Sequence, residues 1–174
     1  MIIAANGFEP FDISAGIHIE GRDGRVLAEE WRSGPRAYRG VAIAGYPNLF
    51  LLMGPNTALG HNSVLFMIEA QVRYILQCLD WIDGARADGT NHALPIAASV
   101  EVREDVQRAF NERLQRKFDR SVWKSDGSVW QLPCTSWYVH ESGRHHVIWP
   151  GFATSSWWAM RTAKRADFSV GPGD

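Results

Sequence analysis

The chain reads Gly45-Tyr-Pro-Asn-Leu-Phe-Leu-Leu-Met-Gly-Pro-Asn-Thr-Ala-Leu-Gly-His-Asn-Ser-Val-Leu-Phe-Met-Ile-Glu69 through its most informative stretch. The apolar run Leu49–Met53 lies between Pro47 and Gly54, a pattern that predicts a strand buried on both faces. A loop rich in glycine, proline and asparagine follows this run, and a helix begins after it. Such a strand–loop–helix unit is how an α/β protein presents backbone N–H groups to a cofactor.

The helix after this loop is predicted from about residue 62 to residue 83, with Asn62 or Ser63 as its N-cap. Its apolar residues recur at spacings of three and four, which places them on one helical face. These residues are Ile68, Val72, Ile75 and Leu79. A second amphipathic helix is predicted over about 103–118. Its apolar stripe consists of Val106, Phe110, Leu114 and Phe118.

Shorter elements are predicted on either side. They are a core strand at residues 1–5, a hairpin turn at 21–24, a short strand near 41–43, a strand at 136–139 and a helix at 155–164. We therefore expect an α/β fold, with α+β as the alternative. Residues 1–95 would form one unit, and residues 96–174 a helical, Trp-rich extension packed on it.

Composition narrows the class of protein. A net charge of −1 gives no electrostatic reason to expect nucleic acid or an anionic membrane as a partner. No apolar run approaches the roughly 20 residues that span a bilayer. Two cysteines are too few for a disulfide framework, so we expect a reduced, cytoplasmic setting.

No metal site is expected at His145 and His146, because the side chains of adjacent residues point apart. The pair is predicted to form a polar surface turn. Eight tryptophans suit an aromatic interior or an interface.

The segment Gly54–Val64 is the candidate binding loop. A loop that feeds a helix N-terminus aims N–H groups and the positive end of the helix at one spot. That spot suits a phosphate or the electron-rich pyrimidine edge of a flavin. The alternative is an ordinary connection between a strand and a helix, which is the commoner situation in α/β folds.

Four segments, taken in chain order, carry a resemblance to a known family. They are Ile2-Ile-Ala-Ala-Asn-Gly-Phe8; Glu30-Trp31 with Gly34-Pro-Arg-Ala-Tyr-Arg-Gly40; Gly45 to Glu69; and Val129-Trp, Cys134-Thr-Ser-Trp-Tyr138, Gly143-Arg144 and Trp149-Pro-Gly151. Together they resemble the C-terminal part of the FAD half of flavin-dependent Baeyer–Villiger-type (class B) monooxygenases. The resemblance implies that residues 1–95 are the C-terminal half of an FAD-binding domain, which is an incomplete Rossmann-like domain in this chain. Asn6 stands where that family has threonine.

The resemblance implies a set of flavin-contacting residues. They are Gly54, Asn56, His61, Asn62, Ser63 and Val64. Backbone N–H groups near Ser63 and Val64 would face the flavin ring and stabilise negative charge on it. Trp137, and with a weaker claim Trp31, would line the nicotinamide and substrate pocket. The alternative for both tryptophans is a place in the hydrophobic core. No residue is assigned a catalytic role.

Motifs that a complete enzyme of this kind needs are absent. The chain has no G-x-G-x-x-G turn for either FAD or NADP, and its only Gly-x-Gly is Gly171-Pro-Gly173. We therefore expect a C-terminal fragment of an FAD- and NADPH-dependent monooxygenase that oxygenates ketones or heteroatoms, inactive alone. The nucleotide-binding half would come in cis or in trans. One subunit of a split flavoprotein and a non-catalytic binding module are the alternatives, and an exposed strand edge makes a homodimer possible.

Overall fold

The computed structural model describes residues 17–59, 63–87, 98–121 and 138–172. Four helices and two strands are present there: α1 (Leu27–Trp31), α2 (Val64–Ala87), β1 (Ala98–Val102), α3 (Glu104–Phe118), α4 (Ala153–Met160) and β2 (Phe168–Pro172). Two 3-10 turns, Arg22–Gly24 and Arg165–Asp167, precede α1 and β2. This mixture of helices with a small sheet corresponds to α+β, the second of the two expected classes. The predicted strand at residues 1–5 and the boundary between residues 95 and 96 lie outside the described residues.

The sheet has two antiparallel strands, with Ala98 opposite Pro172 and Val102 opposite Phe168. Neither strand was predicted, although the alternation in Ala98–Val102 is the signal for a half-buried strand. Val100 and Val102 are buried and belong to the main core cluster. The sheet therefore acts as a short platform beneath α2.

Helix α2 confirms the predicted helix but corrects its buried face. Met67, Ala70, Tyr74 and Cys78 are buried, whereas Val72 of the predicted stripe is 39% exposed. Both faces are apolar in the sequence, so helical spacing alone could not choose between them. The choice is made by tertiary contacts, since α2 packs against β1, β2 and α4.

The buried strand predicted at Leu49–Met53 is wrong. Among the described residues, only Phe50 of this run forms a bridge, with Ala42, and Leu52 is 51% exposed. Asn48 and Met53, at either end, have φ values of 59° and 55°. These left-handed conformations interrupt an extended chain, so the run crosses the surface of the core as irregular backbone.

Three other predicted elements, two helices and a turn, are present in the structure. Helix α3 covers almost the whole predicted range, and Phe110, Leu114 and Phe118 are buried as expected. Helix α4 starts two residues earlier than expected and ends at Met160. The turn at Arg22–Gly24 is closed by an antiparallel bridge between Glu20 and Val26, as a hairpin turn requires.

The main core lies between α2, α3 and the sheet. Tyr38 sits at its centre, edge-on to Phe110 and Phe168 at centroid distances of 5.2 and 6.0 Å. Its hydroxyl donates a 2.6 Å hydrogen bond to Asp167 Oδ2, so the buried polar atom is satisfied. No helix in the described part of the chain is both long enough and apolar enough to cross a membrane.

Candidate functional site

The loop that leads towards α2 is held along one side by the segment 146–149. Asn56 N donates to His146 O at 2.7 Å, and Ala58 N donates to Val147 O at 3.1 Å. Trp149 N returns a 2.9 Å bond to Ala58 O, and Ala58 pairs with Ile148 in a parallel bridge. Residues 56–58 are therefore fixed by backbone hydrogen bonds across about 90 residues of sequence.

The Asn56 side chain stabilises the pairing between the loop and the segment 146–149. Only 3% exposed, it donates from Nδ2 to His145 O at 3.1 Å and to Ile148 O at 3.2 Å. Its φ of 60° lies in the left-handed region, which asparagine tolerates better than most residues. Asn56 Oδ1 is buried and has no hydrogen-bond partner among the residues that the structure describes. The amide group thus supports the loop, and its oxygen is the one polar atom of this side chain left open.

Gly54 is required by a close approach of two backbone segments. A Cβ at Gly54 would lie 2.5 Å from Gly40 O, and one at Gly40 would lie 2.0 Å from Thr57 Cγ2. Gly40 also has a φ of +67°. The Thr57 hydroxyl closes the turn with a 2.6 Å bond to Gly54 O. The two glycines let the loop pack directly on the Gly40 turn.

The far end of the loop opens towards solvent. Ser63 and Val64 are exposed at the start of α2, and the first turn of α2 carries no acidic side chain. The first turn of a helix has N–H groups without acceptors within the helix, and the positive end of the helix dipole lies there. With no carboxylate in the first turn of the helix, this end suits an anionic or electron-rich ring edge.

The structure describes four of the six predicted flavin-contacting residues. Gly54 and Asn56 are buried in the loop, and Ser63 and Val64 are exposed at the start of α2. His61 and Asn62 lie outside the described residues, as does Trp137. Their assignment, like that of the whole set, stays a prediction.

Trp31 lies in a core cluster and not at an open surface. It is 9% exposed and packs with Leu27, Ala37, Ile43 and Tyr46. This environment matches the alternative offered from the sequence, a core tryptophan. Its place in the substrate pocket stays a prediction.

Reading His145-His146 as a polar surface turn was wrong. The two residues are 6% and 5% exposed. The ring of His145 stacks on that of Phe118 at a centroid distance of 4.4 Å. The Gln115 side chain accepts a hydrogen bond from His145 N and donates one to His145 O. Burial lowers the pKa of both imidazoles. Sequence reasoning missed them because a histidine pair carries no periodic signal. No three His, Cys, Asp or Glu side chains form a possible metal site within residues 17–59, 63–87, 98–121 and 138–172.

Almost the whole chain is similar in sequence to part of a known protein. The chain is 45% identical over 166 residues to a Baeyer–Villiger monooxygenase of Pseudomonas aeruginosa. The match covers 94% of this chain but 28% of the relative. The chain thus spans little more than a quarter of that protein. No family model matches the chain.

Solved structures share the fold. An oxidized steroid monooxygenase bound to NADP superposes with a TM-score of 0.68 and 24% identity, covering 90% of this chain and 27% of that one. OTEMO in complex with FAD and NADP gives a TM-score of 0.65 and 17% identity, covering 89% and 27%. At these identities the likeness establishes the fold alone, as a part of each larger protein.

Proposed function

Because this chain is homologous to part of the Baeyer–Villiger and FAD-binding monooxygenases, we propose that it is the C-terminal part of an FAD- and NADPH-dependent monooxygenase. It supplies flavin-ring contacts and part of the pocket wall. The chemistry belongs to the assembled enzyme, which inserts one oxygen atom of O2 into a ketone or adds it to a heteroatom. The chain contributes half of an FAD-binding, Rossmann-like unit, and the nucleotide-binding turns come from another segment in cis or in trans.

The observation that carries this proposal is the built loop before α2. Asn56, Ala58 and Trp149 fix its base through buried backbone pairing, and Gly40 and Gly54 bring it against the core. The helix that follows, α2, has no acidic side chain in its first turn. A rigid base with a polar, electropositive end is what pre-organised recognition of a flavin ring requires.

The residues divide into two roles in this proposal. Gly54 and Asn56 hold the loop in place, while Ser63 and Val64, with His61 and Asn62, contact the flavin. FAD supplies the redox chemistry when bound, and the N–H groups at the start of α2 hold negative charge on its pyrimidine edge. Trp137 belongs to the nicotinamide and substrate side, whereas Trp31, which is buried in a core cluster, is not assigned to that side.

Flavin retention by a reconstituted assembly tests the proposal. The chain is co-expressed with the part of the Pseudomonas aeruginosa relative outside its 166 matched residues, and flavin absorbance and fluorescence quenching are measured after desalting. Ser63→Asp places a carboxylate at the helix start, where it favours the helix but opposes a flavin ring edge. We expect about tenfold weaker flavin retention for this variant.

Thr154→Asp is the matched control. Thr154 is exposed in the first turn of α4, so the variant adds the same charge to another helix start. It should retain flavin like the unmodified chain. An assembly that forms but never retains flavin refutes the proposed function, and equal retention by the two aspartate variants refutes the contact at α2.

A further inference from the structure

Helix α2 carries a second apolar face that points away from the core. Leu65 is 69% exposed, Leu76 is 54% exposed and Leu79 is 38% exposed. With Val72 they form a row at spacings of three, four and seven residues. We call Leu65, Val72, Leu76 and Leu79 the outer face of α2.

The outer face lies opposite the buried face. At about 100° per residue, Val72 is separated by roughly 160° to 200° from Ala70 and Tyr74, which are buried. A helix that is apolar on both sides is typical of a helix packed on both sides. Helix α3 shows the contrast in the same chain, since Glu112, Arg113 and Arg116 are exposed on the side away from its buried residues.

The outer face continues towards the candidate flavin loop. Val64, at the start of α2, is 48% exposed and adjoins Leu65. Whatever covers the outer face therefore also reaches the place where the flavin ring is proposed to lie.

We propose that the outer face of α2 is the docking surface for the nucleotide-binding part of the monooxygenase. This inference rests on the proposed function. The relative of Pseudomonas aeruginosa has nearly three-quarters of its length outside the match, and that part must hold the rest of FAD while this chain holds the ring. A second copy of this chain seated on the same face would also cover Val64, where the flavin is to enter. A contiguous apolar patch of this kind marks an interaction site.

The test is co-purification with the part of the Pseudomonas aeruginosa relative outside its matched residues, using a tag on this chain. Val72→Lys with Leu76→Lys adds two positive charges to the outer face. Glu112→Lys adds the same charge on α3, where Glu112 is exposed. The first variant should bind about a hundredfold more weakly, because lysine ammonium groups would be buried in an apolar interface, and the second should bind normally. Circular dichroism and thermal melts verify that both remain folded.

A labelling experiment on the assembled complex avoids lysine substitutions altogether. Leu76→Cys, in a chain with Cys134→Ser, is treated with a maleimide. Cys78 is fully buried and does not compete for the reagent. We expect rapid labelling of the free chain and at least tenfold slower labelling in the complex.

The outcomes separate the surface from the function. Normal co-purification of the lysine variant, or unprotected Cys at position 76 in the complex, overturns the docking surface even if flavin is retained. A homodimer that the lysine variant abolishes, without capture of the nucleotide-binding part, also overturns it and assigns the face to a second copy. A complex that depends on the outer face but retains no flavin supports the surface while refuting the proposed function.

Discussion

Asn56 offers a direct test of how the candidate flavin loop is held. Its side chain donates to His145 O and Ile148 O, and its backbone adopts a φ of 60°. Replacement by alanine removes both hydrogen bonds and leaves a residue that tolerates the left-handed region poorly. Replacement by glycine removes the same bonds but relieves the backbone. The two variants therefore separate the side-chain contribution from the backbone contribution.

The expected loss of unfolding free energy follows from these contacts. His145 O keeps a 2.8 Å bond from Gln115 Nε2, so the greater loss falls on Ile148 O. Two neutral hydrogen bonds contribute about 1–3 kcal/mol together. A left-handed alanine adds about 1–2 kcal/mol, which gives about 2–5 kcal/mol for Asn56→Ala. Glycine avoids that strain but adds about 0.5–1 kcal/mol of backbone entropy, so Asn56→Gly should be less destabilised by about 0.5–1 kcal/mol.

Urea unfolding followed by circular dichroism measures both differences. Asn56→Asp extends the series, because a buried carboxylate would face the two carbonyl oxygens without a proton to donate. It should be the least stable of the three. The reasoning is refuted if Asn56→Ala unfolds within about 0.5 kcal/mol of the unmodified chain, or if glycine is clearly worse than alanine. The first result would mean that the stability of the loop does not depend on the Asn56 amide. The second result would mean that the left-handed backbone conformation at residue 56 does not destabilise the alanine variant.

Two further predictions concern the glycines and the buried histidines. Gly40→Ala should lower the free energy of unfolding by at least about 2 kcal/mol more than Gly143→Ala, as measured in urea. Both glycines have a positive φ, but only a Cβ at Gly40 would clash, at 2.0 Å from Thr57 Cγ2. Similar losses for the two variants would contradict the close approach. Burial lowers the pKa of His145 and His146 below 6.5, so the unfolded chain takes up protons first as pH falls. The contribution of these imidazoles to stability is thus present above the unfolded pKa of about 6.5, and it is lost as the pH falls through their lower folded pKa values. Urea melts at about pH 8 and about pH 5 should show a smaller loss for His145→Gln than for the unmodified chain, and an unchanged loss would argue against the buried neutral imidazole.

Local patterning was sufficient for the long helices. α2 and α3 follow from apolar spacing, and the turn at Arg22–Gly24 follows from its glycines, because these signals depend on residues a few positions apart. The motif order also predicted the kinship with Baeyer–Villiger monooxygenases, which the Pseudomonas aeruginosa relative confirms. The flavin contacts inferred from that resemblance stay predictions.

Long-range contacts decided the rest. The amino-acid sequence determined that α2 is a helix with two apolar faces, but only packing against the sheet and α4 decided that Tyr74 is buried and Val72 is not. Likewise, the composition of Leu49–Met53 suited a strand, yet a strand requires a partner edge, and the described residues offer it one bridge at Ala42. The sequence predicted that His145 and His146 are polar and exposed, but in the structure the ring of His145 stacks on Phe118 and its backbone O accepts from Gln115. Spacing along a chain fixes which side chains share a face, whereas burial depends on what distant segments bring against that face.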